Sequence, residues 1–378
     1  MRKGLVWVAL VVLGLSGGCA HSGSTPAPSD RAAQETAHRT PAEAAQPPAA
    51  LSGTRDYKPA DKFGGAFVAE GSLFWLAWTR EDASDRKIML RALDSAQATV
   101  VAQPDEGFVL GYPVVTGHWV IFSETPASSR QPQEWRLVAQ HLQTGERRLL
   151  SSGDAGAMQL AFAADQGKVI WLETDWRDMQ KSWSLIKLHD LDSKQAKTLL
   201  EARFPQNIQS VDISGSRVVY NRFETKMTAG NQASYAAEVH LFDLQTAADR
   251  VLPDSQGAWD VKINGENVVW RSAASASDYG DIVLHNTGSG TSHTITTNGK
   301  SLGLAAPSIG DGFVTWSNSL GGKHQIPVYL IADGRTIELD QGEVFSPIVR
   351  GKYLTWRWEP APDDARVRWW SPPAAPAK

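Results

Sequence analysis

Residues 261–270 read Val261–Lys262–Ile263–Asn264–Gly265–Glu266–Asn267–Val268–Val269–Trp270, and the fold is decided by how often that pattern returns. Val261–Lys262–Ile263 alternates as a strand does, Asn264–Gly265 is a tight-turn pair, and Val268–Val269–Trp270 is the returning strand. A third strand, Asp281–Ile282–Val283–Leu284, follows after a loop. Thr287–Gly288 then leads into a fourth, Thr294–Ile295–Thr296. The preceding unit runs in parallel: Val211–Asp212–Ile213, Ser214–Gly215, Val218–Val219–Tyr220, Val239–His240–Leu241–Phe242–Asp243 and Arg250–Val251–Leu252.

Working outward, the second strand of this unit recurs as an apolar run closed by an aromatic. The other copies are Leu73–Phe74–Trp75, Val120–Ile121–Phe122, Val169–Ile170–Trp171, Val314–Thr315–Trp316 and, with Thr in the middle, Leu354–Thr355–Trp356. With Tyr220 and Trp270 the aromatics stand 47, 49, 49, 50, 46 and 40 residues apart. Four-stranded meanders of this length in tandem predict an all-β chain folded as a β-propeller. Each small sheet can bury its faces only against its neighbours. The anchoring aromatics are therefore expected in the core between blades, not in a cofactor box or a carbohydrate platform.

The last unit has one further strand after Trp356, Arg366–Val367–Arg368–Trp369–Trp370, and then a proline-rich end. The chain around Thr54 to Lys58 is free to supply the missing fourth strand and remove an exposed edge. That predicts seven four-stranded blades, or six if the first or last unit is degenerate. Pro307–Ser308–Ile309–Gly310–Asp311–Gly312 ahead of Phe313–Val314–Thr315–Trp316, and Asp281–Ile282–Val283–Leu284, resemble the repeats of TolB-type and related surface-protein propellers. The resemblance implies the fold; propellers host many activities, so it implies little about function.

Composition narrows the rest. About 42% of the 378 residues are apolar and 21% charged, with 15 Trp against 7 Tyr and 11 Phe. The formal net charge is −4, and no Lys/Arg run exceeds two residues, so neither nucleic acid nor an anionic membrane surface is an expected partner. The single cysteine, Cys19, excludes an internal disulfide and a thiolate zinc site.

Cys19 ends a leader: Arg2–Lys3, an apolar run from Leu5 to Leu15, then Ser16–Gly17–Gly18. That is a secretory signal, too short to span a bilayer. Its ending resembles the bacterial lipobox, with Leu15 one place earlier than the pattern's leucine. The resemblance implies a diacylglyceryl group on Cys19 and, with Ala20 and not Asp next, sorting to the outer membrane. Residues 20–53 hold no apolar side chain larger than alanine before Leu51 and are expected to form a disordered tether with a reach of roughly 30 Å. The expected organisation is signal peptide 1–18, lipidated cysteine and linker 19–53, propeller 54–372 and tail 373–378.

No G-x-S-x-G elbow, H-E-x-x-H, P-loop or G-x-G-x-x-G after a strand occurs in the sequence. His141, His189, His240 and His285 recur about 50 residues apart, but alignment of the units puts them on or beside third strands of different blades. The spacing reports the repeat, and no metal or other cofactor is expected. The expectation is a monomeric, non-catalytic envelope lipoprotein whose propeller binds a protein or peptide and which meets the membrane through its lipid alone. The alternative is a propeller enzyme acting on polysaccharide, a lyase or hydrolase, with polar first-strand residues such as Asp212, Asp260, Lys262 and Arg350 converging at the channel mouth.

Loop lengths indicate where binding would lie. Turns between first and second strands and between third and fourth are tight. Connections between second and third strands are long: Ser123 to Glu134, Glu173 to Ser182, Arg222 to Ala237, Arg271 to Gly280 and Ser317 to Gln325. These all emerge on one face of a meander ring, and elaborated loops on a rigid scaffold are where binding usually resides. They carry Arg130, Trp176, Arg177, Arg222, Glu224, Tyr235 and Tyr279, rich in the residue types that dominate binding hot spots.

Overall fold

The computed structural model describes residues 54–127, 134–153, 161–227, 233–318, 325–341, 343–361 and 363–372. The leader, Cys19, the linker to residue 53, Arg130 and the tail 373–378 lie outside the described residues.

Seven sheets follow one another along the chain, each an antiparallel meander counted outward from its first strand. Blade 1 spans Lys62–Ala69 to Thr99–Ala102, and blade 3 Ala161–Asp165 to Gln195–Arg203. Blade 4 spans Gln206–Ser214 to Asp249–Val251, and blade 5 Ala258–Asn264 to Thr291–Thr294. Blade 6 runs from Leu304–Gly310 to Arg335–Gln341. In blade 2 the first strand is broken into Phe108–Leu110 and Val114–Thr116, both paired with Trp119–Pro126. Blade 7 takes three strands from the C-terminus, Glu343–Arg350, Tyr353–Glu359 and Arg366–Trp370. Its outer strand, Arg55–Tyr57, comes from the N-terminus, with Arg55 opposite Trp369, Asp56 opposite Arg368 and Tyr57 opposite Val367. The ring has seven blades and closes as the short last repeat implied.

Seven apolar clusters match seven blade interfaces, and each contains one of the repeating aromatics: Trp75, Phe122, Trp171, Tyr220, Trp270, Trp316 and Trp356. None is more than 5% exposed. A large buried aromatic of this kind is worth about 3–5 kcal/mol on truncation to alanine. The periodicity therefore marks the principal packing term that holds neighbouring blades together.

The two faces differ as expected. Each of the seven connections between first and second strands is two residues long, from Glu70–Gly71 in blade 1 to Gly351–Lys352 in blade 7. Each contains a residue with positive φ, which a two-residue hairpin of the right twist requires. Side chains at the ends of first strands clasp the next blade's turn. Gly167 N–H donates to Thr116 Oγ1 at 2.9 Å, Gly215 N–H to Asp165 Oδ2 at 2.6 Å, and Gly265 N–H to Ser214 Oγ at 3.0 Å.

Blade 4 corrects one boundary. The expected loop from Arg222 to Ala237 is mostly strand: Arg217–Met227 and Ala233–Asp243 pair along eleven residues each. No Gly or Pro interrupts 217–228, and Phe223 and Thr225 continue the buried face, so the ladder extends past the blade's expected end. Arg222, Glu224 and Tyr235 are therefore strand residues on a projecting hairpin.

Candidate binding face

On the elaborated face, blades 3, 4 and 5 are joined by an aromatic cluster separate from the seven interfaces. Its buried centre is Phe223, Ala237 and Trp259, and Trp176 and Tyr235 pack on it half-buried. The Trp176 ring stacks on Phe223 at 5.8 Å and 19°. Tyr235 stands edge-on to Phe223 at 5.8 Å and to Trp259 at 6.1 Å, and Trp259 is 5.3 Å from Phe223. The second-to-third connection of blade 3 thus reaches the hairpin of blade 4, and both meet the first strand of blade 5.

Local structure sets each of these side chains. Asp175 accepts the Arg177 backbone N–H at 3.0 Å and both arms of its guanidinium, so the chain folds back on either side of Trp176. The Arg177 guanidinium holds the Asp175 carboxyl below the usual carboxylate range. Asp178 then caps the short turn Met179–Lys181 through Gln180 N–H. In blade 5 a bulge between Trp259 and Lys262 places Asp260 at φ +56°, a region open to Asp at modest cost. Arg271, 2% exposed, donates to Asp260 Oδ2 at 2.8 Å, to Ser275 O at 3.4 Å and to Ala276 O at 2.7 Å. This one buried guanidinium braces the whole loop that carries Tyr279. The Trp259 indole donates to Ala273 O on the same loop at 3.1 Å.

Of the six described residues expected to bind, the structure brings Trp176 and Tyr235 into one cluster. Arg177 lies exposed beside it in its pair with Asp175. Arg222 and Glu224 point to the opposite face of the hairpin, because successive strand side chains alternate. There Arg222 donates to Gln206, and Glu224 faces Lys226 at 3.8 Å. Tyr279 is half-buried on its loop, outside the cluster. Sequence reasoning missed Phe223 and Trp259. The available signal was a tryptophan at the start of a first strand, where blades 1, 4 and 6 carry smaller or polar residues.

The first-strand polar residues Asp212, Asp260 and Arg350 are held by bonds of their own, and burial lowers the Arg350 guanidinium below its ordinary value while the Asp212 carboxylate offsets part of that shift. Asp212 accepts Ile263 N–H at 3.0 Å, Asp260 is held by Arg271 and by Gln209 at 3.3 Å, and Arg350 donates to Val349 O at 2.9 Å. No ion pair joins any two of Asp212, Asp260, Lys262 and Arg350.

The repeating histidines lie on third strands of blades 2, 3, 4 and 5. His141 caps its turn as its counterparts do. Its Nδ1 accepts Gln143 and Thr144 N–H at 3.3 and 3.2 Å, as Asp243 accepts Gln245 and Thr246 N–H and Asn286 accepts Gly288 and Ser289 N–H. Burial pushes His189 and His285 below the ordinary histidine value. A cleft of about 440 Å³ opens on the trimmed face between the turns of blades 1 to 3, where His118 and His141 lie 5.8 Å apart. Among the described residues no three His, Cys, Asp or Glu side chains are grouped to hold a metal.

No family model matches the sequence, and no curated protein matches it. Solved structures match the fold. The chain is similar to the β-propeller domain of the Trilobed protease from Pyrococcus furiosus, described as having an open velcro topology. The TM-score is 0.62 at 12% identity, covering 82% of this chain and 95% of that one. It is similar to a prolyl endopeptidase at TM-score 0.59 and 15% identity, covering 79% of this chain and 46% of that one. It is similar to the acylaminoacyl peptidase of Pyrococcus horikoshii at TM-score 0.58 and 10% identity, covering 79% and 49%. The chain spans about half the length of these two peptidases. At such identities the likeness establishes the β-propeller fold and nothing finer.

Proposed function

We propose that this propeller is a binding module of the bacterial cell envelope, tethered through a lipid on Cys19, and that it takes a protein or peptide partner on its elaborated face. The observation that carries the reading is the pair of half-buried rings, Trp176 and Tyr235, presented on the elaborated face and already ordered by packing on buried Phe223 and Trp259. Ordered aromatics lose little conformational freedom on association, which is why they dominate interface energetics. The polysaccharide lyase or hydrolase reading draws less support. Two of the carboxylates it would use, Asp212 and Asp260, are engaged in bonds between and within blades.

A paired experiment tests both halves. Cys19→Ser should move the protein from the membrane fraction to the soluble fraction with its melting temperature unchanged. Photo-cross-linking of the lipidated protein in intact envelopes should give an adduct that Trp176→Ala reduces at least tenfold. His118→Ala, on the trimmed face, should leave the adduct intact. An adduct lost only with His118→Ala would place the partner on the wrong side for this reading. A Cys19→Ser protein that resists a salt wash of the membranes would remove the anchor.

A further inference from the structure

Blade 4 carries an unfinished sheet edge. Its third strand, Ala233–Asp243, is eleven residues long, while its outer strand, Asp249–Val251, pairs only with His240, Leu241 and Phe242. The connection to blade 5 covers the next part of that edge. Leu252 N–H donates to Val239 O and Gly257 N–H to Ala237 O, both at 2.8 Å, and Val239 N–H donates to Ser255 Oγ at 3.1 Å. Beyond Ala237 the edge is bare among the described residues.

The pairing rule of antiparallel strands says which groups it offers. Residues along a strand alternate between turning both backbone groups toward one neighbour and toward the other. Val239 and Ala237 turn theirs outward, as the bonds to Leu252, Ser255 and Gly257 show, so Tyr235 and Ala233 do the same. Thr225, opposite Tyr235, sends its own N–H the other way, to Pro205 O at 2.8 Å. The N–H and C=O of Tyr235 and Ala233, with the N–H of Ala237, form an extended row of donors and acceptors. None has a partner among the described residues.

Native proteins blunt such edges with charge, proline or a bulge. Most outer strands here do so: Arg147 and Arg148 in blade 2, Lys197, Glu201 and Arg203 in blade 3, Arg335 and Glu338 in blade 6, Arg55 and Asp56 in blade 7, and a bulge in blade 1, whereas Thr291–Thr294 of blade 5 has none. Ala233–Ser234–Tyr235–Ala236–Ala237 has none of these devices, and it borders the aromatic cluster.

We propose that an extended peptide segment binds here by strand addition, pairing its backbone with residues 233–237. The proposal rests on the elaborated face being the binding face and names how a partner engages it. One side of the added strand would lie toward Phe223 and Tyr235, the other toward Arg222, Glu224 and Glu238. A segment alternating apolar and polar side chains fits that environment, with the backbone supplying affinity and the cluster selectivity. The edge spans roughly 16 Å at about 3.3 Å per residue, the length of a single short strand.

The test uses the full chain and a fluorescein-labelled, capped ten-residue peptide alternating Val and Thr as probe. Wild type should bind it and show slowed hydrogen exchange at Tyr235 and Ala233. Ala233→Pro removes one outward N–H without disturbing the hairpin's inner bonds, since proline is tolerated where the N–H faces outward. It should weaken binding at least tenfold at an unchanged melting temperature. Tyr235→Pro should weaken it more than Tyr235→Ala, which loses the ring but keeps the amide. A probe with a central proline should not bind. No binding to wild type at millimolar probe, or binding untouched by both proline substitutions, overturns the proposal. A concentration-dependent dimer dissolved by the same prolines also overturns it, because the edge then belongs to a second copy. Binding lowered by Trp176→Ala but indifferent to the prolines would sink strand addition and leave the elaborated face as the binding face.

Discussion

A chain beginning at Asp61 is expected to melt far below one beginning at Gly53, or to aggregate, although both keep every residue of blades 1 to 6. The difference is the outer strand of blade 7. Its three residue pairs with Val367, Arg368 and Trp369 close the ring, and Tyr57 packs between blades 7 and 1, with its ring 5.5 Å from Trp75 and the Arg91 guanidinium 4.5 Å above it. Counting about 1 kcal/mol per backbone hydrogen bond and 1–2 for the tyrosine, the loss is roughly 3–5 kcal/mol, with a bare edge added. Equal denaturant midpoints for the two chains would show that closure contributes nothing.

The same closure should respond to acid. Lys58 bonds to Asp364 at 2.9 Å, Arg366 pairs with Asp364, and Asp56 faces Arg366 and Arg368 at 3.8 and 3.7 Å. Hydrogen bonds from Arg366 and then Lys58 hold the Asp364 carboxyl at about 2, below its ordinary value of 3.8. A carboxyl depressed in the folded state binds its proton more readily when unfolded. Its contribution is therefore complete above about pH 4 and is lost as the pH falls toward 2. Asp364→Asn should lower stability above about pH 4, flatten the curve as the pH falls toward 2, and meet wild type at the acid end. An identical acid slope in the variant would assign it elsewhere.

The second large effect is expected at Arg271. Replacement by Leu leaves Asp260 without its buried cation and Ser275 O and Ala276 O without donors. Asp260 is 26% exposed and keeps its bond from Gln209, so the cost is expected at about 2–3 kcal/mol, below that of a fully buried pair. Arg271→Lys should fall between, since an ammonium cannot reproduce the fork that holds carboxylate and loop together. Because the braced loop also accepts the Trp259 indole, the Leu variant should lose tryptophan near-ultraviolet dichroism before global unfolding. A urea midpoint shift worth less than about 1 kcal/mol would mean that water replaces the guanidinium at no cost.

The fold was legible because a propeller repeats its largest packing term. The seven aromatics at near-constant spacing each fill one interface, and the missing fourth strand after Trp370 pointed to Arg55–Tyr57. The candidate site was legible only in outline. Long connections revealed the elaborated face, and Trp176 and Tyr235 stood out by residue type. Phe223 and Trp259 did not, because a buried aromatic on a strand reads the same in an interface as in a cluster on one face. The extension of the blade 4 hairpin was missed because alternation weakens where one face turns polar: Arg222, Glu224 and Lys226 resemble loop residues until Phe223 and Thr225 are seen between them. Asp260 and Arg271 were out of reach for a different reason. Their pairing depends on a bulge that shifts the register between Trp259 and Lys262, and no local pattern announces it.

Ring closure by strands from both termini has a mechanical side. Any tension drawn through the chain ahead of residue 54 enters the propeller along Arg55–Tyr57, lengthwise against Arg366–Trp370. Pulled in that direction, the three residue pairs and the Asp56 ion pairs share the load in shear and do not open one at a time. The place where the chain enters the propeller is thus also the seam of the ring. A strong pull would be registered first as the loss of one short strand, with the blade cores still intact.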